Sequence, residues 1–148
     1  MGNIIKPYKA VILLTLMFFS ISAYSQNIEA NISGIRAKQG QIVIKVFKDE
    51  KSFQDDKPSM VKKFKKTEIT NGAMLAKLTL EPGIYGLTLL DDENNDNEMN
   101  YSFMGIPKEG FGFSNFELKK LARPTFAEFD IEVKANSKYK VNMKVKYL

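Results

Sequence analysis

Between Lys138 and Tyr147 the chain alternates without a break. Tyr139, Val141, Met143, Val145 and Tyr147 take one set of positions, and Lys138, Lys140, Asn142, Lys144 and Lys146 take the other. Successive side chains of a strand point to opposite faces, so this stretch has one apolar and one cationic face; a helix would scatter both sets around its circumference. The same period recurs upstream. Ile28, Ala30 and Ile32 alternate with polar residues, Ile42, Ile44 and Val46 share a face of Gln41–Phe47, and Met74, Ala76, Leu78 and Leu80 stand opposite Lys77 and Thr79. Ala127, Phe129, Ile131 and Val133 are expected inward, with Glu128, Asp130 and Glu132 outward, while Ile84–Leu90 reads as a more fully buried strand. Strands of this length, separated by short turns and two longer excursions, imply an all-β fold: an antiparallel sandwich of about six or seven strands, with a small barrel as the nearest alternative.

The punctuation between strands is legible in places. Asn71-Gly72 is a strong turn dipeptide, and Glu81-Pro82-Gly83 sets up a second reversal. Gly40 suits a hairpin-type link that would make the first two strands antiparallel neighbours. Lys48–Thr70 is the least regular stretch. Pro58 there suits the start of a short helix, and Lys62, Lys63, Lys65 and Lys66 read as a solvated face rather than a membrane-binding one.

The amino end has the three-part pattern of an export leader: Lys6 and Lys9, an apolar run from Val11 to Ile21, and small residues at Ala23 and Ser25. Cleavage is expected between Ser25 and Gln26, giving a signal peptide over 1–25 and one domain over 26–148. An uncleaved membrane anchor is the competing reading; the run is short for a span, which takes about 20 apolar residues. Removing the leader takes away two lysines and no acid, leaving 20 basic and 17 acidic residues, net +3. That near balance argues against a nucleic-acid partner. The expected location is periplasmic or secreted, and the expected partner class is a glycan or protein of the cell envelope.

The chain has neither histidine nor cysteine. A Ser-His-Asp triad, a Cys-His pair and a zinc site of nitrogen and sulfur ligands are all excluded, as are disulfides. Any metal must be held by oxygen, which points to calcium or magnesium.

One stretch is not simply building material. Asp91, Asp92, Glu93, Asp96 and Glu98 fall within ten residues, interleaved with Asn94, Asn95, Asn97 and Asn100, and no lysine or arginine occurs between Lys77 and Lys108. The spacing resembles the opening of a calcium loop. Asp92, Asn94 and Asp96 would offer side-chain oxygens, Glu98 a backbone carbonyl, and Asn100 an amide oxygen or a water bridge. The twelfth position, where such a loop places a bidentate glutamate, is Phe103; Asp91 or Glu109 could substitute if the fold returns it to the loop. The alternative is a bare turn whose Asp and Asn side chains bond their own backbone. The aromatic segment that follows supplies Tyr101, Phe111, Phe113 and Asn115 as candidate ligand-binding residues. Its phenylalanines fit equally well a plug folded over the end of the sandwich.

Leu80–Tyr85, the Asn-rich acidic loop, Gly105–Gly110 and Phe111–Asn115 together give the chain a pattern that resembles the bacterial DUF2141 family. The resemblance implies an immunoglobulin-like or transthyretin-like sandwich outside the cytoplasm, and implies no activity. Where the family tends toward Asp-x-Asn-x-Asn-Gly-x-x-Asp, this chain has Asp92, Asn94, Asp96, Asn97 and Asn100. Asparagine thus replaces both the turn glycine and the last carboxylate. The expected function is a non-enzymatic accessory or binding protein, calcium-stabilised at the acidic loop. The alternatives are a carbohydrate-binding module using the aromatic Gly-rich loop, and a glycosidase with a carboxylate pair such as Asp92 and Glu109.

Overall fold

The computed structural model describes residues 27–119 and 122–148. The expected leader and its cleavage point lie outside the described residues. Within them the fold is all-β, with eight strands in two sheets. The first sheet has three strands in the order β4 (Met74–Leu78), β1 (Ile28–Ser33), β8 (Tyr139–Lys144). The second runs β3 (Met60–Lys65), β2 (Gln41–Phe47), β5 (Gly83–Asp92), β6 (Gly110–Phe113), and β7 (Asp130–Val133) pairs with the first part of β5.

The alternating patterns place the core between the sheets. Ile28, Ala30 and Ile32 of β1, Val141 and Met143 of β8, and Ala76 and Leu78 of β4 are buried against Ile42, Ile44 and Val46 of β2 and Leu87 and Leu89 of β5. Asn71 and Gly72 both take positive φ, at 51° and 72°, as the turn dipeptide requires.

Four expectations need correction. β1 and β2 are not hairpin partners: β1 pairs with β4 and β8, and β2 with β3 and β5, so the chain crosses from one sheet to the other through Gly34 and Gly40. Alternation specifies which face of a strand is buried, not which neighbour supplies its hydrogen bonds. The sheet is not wholly antiparallel either, because β1 and β8 run parallel. The helix in the irregular stretch is α1 (Glu50–Gln54), capped by Asp49, whose carboxylate accepts from the Ser52 N–H at 2.7 Å. Pro58 instead precedes β3, an edge strand that the sequence reading missed. Lastly, Phe126 rather than Ala127 turns inward, because Phe126–Glu128 forms a 3₁₀ turn ahead of β7.

β6 is the second missed strand, and its Gly-Phe-Gly-Phe sequence explains how the two sheets join. Gly110 and Gly112 lie opposite Asp91 and Leu89, on the core side of β5. A Cβ at Gly112 would sit 2.8 Å from the Lys144 carbonyl oxygen, and one at Gly110 would overlap Val145 and Tyr147. Their absence lets the tail after β8 pass close behind β6, where Phe111 and Lys146 exchange backbone hydrogen bonds of 3.0 and 2.8 Å. Phe111 and Phe113 are thereby sent to the opposite, outer face.

Candidate functional site

The outer face of the five-stranded sheet carries Val43 and Lys45 from β2, Thr88 and Leu90 from β5, and Phe111 and Phe113 from β6. Along one side rise α1 and the Arg123-Pro124 segment; along the other stand Met99, Tyr101 and Pro107. Between them lies a groove of about 510 Å³.

The floor near α1 is a second, aromatic core. Phe47, Phe53, Phe126 and Phe129 are buried together, and Phe113 and Phe116 pack on them. Phe113 meets Phe129 at 5.2 Å and Phe53 at 6.4 Å between ring centroids. Gly86 of β5 makes room for this cluster, since a Cβ there would overlap the Phe129 ring. Arg123 lies over the Phe53 ring at 4.3 Å and donates to the Phe53 carbonyl at 2.6 Å. Lys45 is held by Asp56 through hydrogen bonds of 2.8 and 3.0 Å.

The far wall is a small hairpin tip. Tyr101 and Pro107 bridge, Ser102 N–H donates to the Ile106 carbonyl at 2.8 Å, and the Ser102 hydroxyl accepts from the Ile106 N–H. Its backbone is thus satisfied internally while its side chains are not covered: Phe103 is 99% exposed, Met104 67% and Tyr101 57%.

Three of the four aromatic-segment residues singled out from the sequence, Tyr101, Phe111 and Phe113, therefore line one groove. Asn115 stands apart. Its backbone N–H donates to the Asn142 carbonyl at 2.8 Å, its side chain accepts from the Asn142 N–H at 2.9 Å, and it faces a separate hollow beside β1 and β8. Sequence reasoning missed Lys45, Thr88, Asp56 and Arg123. β2 looked buried on its even positions and Ile84–Leu90 looked buried on both faces, and nothing local said that Lys45 or Thr88 faces a groove.

The acidic loop forms the rim at the end of β5. Here strand parity separates the adjacent carboxylates. Asp91 lies opposite Ile42 and points to the core; Asp92 lies opposite Gln41 and points outward. Both are fully buried, and both belong to the strand rather than the loop. Asp92 accepts from the Asp96 and Asn97 N–H groups at 3.1 and 3.0 Å and from the Gln41 amide at 2.6 Å. Asp96 accepts from the Glu98 N–H at 2.9 Å and from the amides of Asn94 and Asn100 at 2.8 and 2.9 Å. These bonds hold its carboxyl below the ordinary carboxylate range, the Glu98 N–H contributing most. Asn97 has φ of 70°, the left-handed conformation required where asparagine stands for glycine. Glu98 is exposed and reaches Asp96 through its N–H.

Glu109 returns to the loop from β6's approach. Its two oxygens accept from the Glu93 and Asn100 N–H groups, each at 3.2 Å, so it ties together both ends of the acidic loop. Burial raises its carboxyl above the usual range, and the neighbouring charges of Asp92 and Asp96 push the same way. Distant cations answer the rest of the loop's charge. Arg36 forks onto Glu93 at 2.7 and 2.9 Å, and Lys66, expected on a solvated face, is buried against Asp91. Among the described residues no three His, Cys, Asp or Glu side chains gather as a metal-holding group. Also among the described residues, no helix is long and apolar enough to cross a membrane.

No curated protein matches the chain, and no solved structure does. A family model described as an uncharacterized protein conserved in bacteria (DUF2141) matches residues 30–142, which include the acidic rim, β6 and the whole aromatic hairpin. The chain belongs to the DUF2141 family.

Proposed function

We propose that the protein is a non-enzymatic binding module of the bacterial cell envelope, exported by its leader, with an immunoglobulin-like or transthyretin-like sandwich as scaffold and a carbohydrate as ligand. The observation that supports this most is the outer-face groove. Tyr101 on one wall and Phe111 on the sheet offer flat apolar surfaces for the faces of sugar rings, while Lys45 and Thr88 on the sheet and Asp56 beyond α1 supply donors and acceptors. That mixture of apolar wall and few polar groups is the usual make-up of a small-ligand site. The carboxylate pair of the glycosidase alternative supports binding rather than turnover: Asp92 and Glu109 are both buried and committed to backbone N–H groups.

In the same reading calcium reinforces the acidic rim. Asp92, Asn94, Asp96 and Asn100 are already drawn together, and Glu109 carries a charge that burial and its neighbours disfavour. A cation there would replace the amide contacts of Asn94 and Asn100 to Asp96 and relieve that repulsion.

The test is a panel of soluble cell-wall oligosaccharides and polysaccharides applied to the protein with calcium and with chelator, alongside Tyr101→Ala and Phe111→Ala. Retention of at least one glycan, reduced about tenfold or more by either substitution, is the expected result. A panel with no retained glycan removes the carbohydrate reading. A melting temperature unchanged by millimolar calcium removes the metal.

A further inference from the structure

Behind the acidic rim, on the core side of β5, lies a group of polar side chains that the groove does not use. Lys66 and Asp91 are both completely buried and in ion-pair contact. Lys66 enters from the turn after β3 and Asp91 from the end of β5, two strands away in the same sheet. Lys66 Nζ lies against Asp91 Oδ1, yet among the described residues that oxygen has no partner in hydrogen-bond geometry. The Lys66 ammonium donates instead to the Ala37 carbonyl at 3.2 Å. The other carboxyl oxygen of Asp91 accepts from the Tyr147 hydroxyl, which in turn accepts from the Arg36 N–H at 3.1 Å. The carboxyl group is therefore held by a phenol at one oxygen and met by an amine at the other.

The geometry points to Lys66 and Asp91 as the two ends of an intramolecular amide bond that staples β3 to β5. The step balances without an oxidant, reductant or cofactor. A proton passes from the Lys66 ammonium to the Asp91 carboxylate, and the free amine attacks Cγ to form the C–N bond. One C–O bond then breaks. That oxygen leaves as water with two of the three original ammonium hydrogens, and the third stays on the amide nitrogen. Tyr147 acts as a positioning residue that fixes Oδ2 and polarises the carboxyl. Burial favours the product, because an amide has no charge to desolvate, whereas a buried ion pair loses the hydration of two. The phenol stays a donor throughout the neutral range, since burial and Asp91 both raise its pKa. A covalent staple also suits this chain in particular, which has no cysteine with which to make a disulfide.

The purified full chain is denatured, its intact mass measured, and its proteolytic peptides sequenced by tandem mass spectrometry. The expected result is a mass about 18 Da below that of the sequence, one water lost, with trypsin failing to cut after Lys66 and a branched peptide joining the segments that hold Lys66 and Asp91. Lys66→Ala is expected to restore the full mass. Should that variant not fold, the wild-type peptides decide alone. Cleavage after Lys66 with no branched peptide overturns the proposal, and so does an 18 Da loss confined to one peptide, which would be an internal imide.

Discussion

Asp91 and Asp92 show how much one position matters in a strand. Nothing in the pair of letters distinguishes them, yet the pleat sends one to a buried lysine and the other to the backbone of the acidic loop. The loop's seat against β2 depends on Gly40, whose φ is +80°. A Cβ there would overlap the Asp92 carbonyl and stand 2.6 Å from the Glu93 Cα. Gly40→Ala is accordingly expected to lower stability by about 2 kcal/mol or more, from strain and overpacking together, read as a shift in urea midpoint. A cost within a few tenths would show that the loop does not rest there. Glu93 gives a pH signature. Arg36's hydrogen bonds hold its carboxyl below the ordinary range, against an opposing effect of burial. A depressed carboxylate contributes stability above its unfolded value and loses it as pH falls through the folded one. Arg36→Ala should therefore cost about 0.2–1 kcal/mol at neutral pH, as a partly exposed pair does, and the difference should narrow by about pH 3. An equal difference at both pH values would mean that the stacking of Arg36 on Tyr147, at 4.2 Å, carries the whole effect.

At the scale of elements, what the sequence disclosed follows from what periodicity can encode. β1, β4, β5 and β8 were legible because each buries one face or both against the core, and alternation reports burial directly. β3 was not, because Lys62 interrupts the face that Met60 and Phe64 turn to the core, and exposed Val61 breaks the polar face of Lys63 and Lys65, so this edge strand shows no clean alternation. β6 was hidden for a different reason. Its core-side positions are glycines, chosen to let another strand approach, and its aromatics face outward. The same division predicts which aromatics matter for folding. Phe129→Ala should cost about 3–5 kcal/mol, as truncation of a buried ring does, while Phe103→Ser, at a position 99% exposed, should stay within about 0.5 kcal/mol. Thermal or urea unfolding of both variants checks this. A large loss for Phe103→Ser would mean that the hairpin tip is covered by something else in solution.

For the whole molecule, the two faces of the five-stranded sheet divide the work. The inner face, with the three-stranded sheet, makes the main core and the buried Lys66–Asp91–Tyr147 group. The outer face carries a smaller phenylalanine core and, beside it, the open groove with its hairpin wall. Of the candidate site, the acidic rim and the aromatic segment were legible as unusual stretches. Their arrangement was not, since the groove is assembled from residues that are far apart in sequence, such as Lys45, Thr88, Phe111 and Arg123. The most direct measurement of the central claim is amide chemical-shift mapping of the isotope-labelled protein titrated with soluble cell-wall oligosaccharides. The account predicts perturbations concentrated at Lys45, Thr88, Tyr101 and Phe111, with the three-stranded sheet silent. Perturbations confined to the hollow beside Asn115 and Asn142, or none at saturating oligosaccharide, would contradict it.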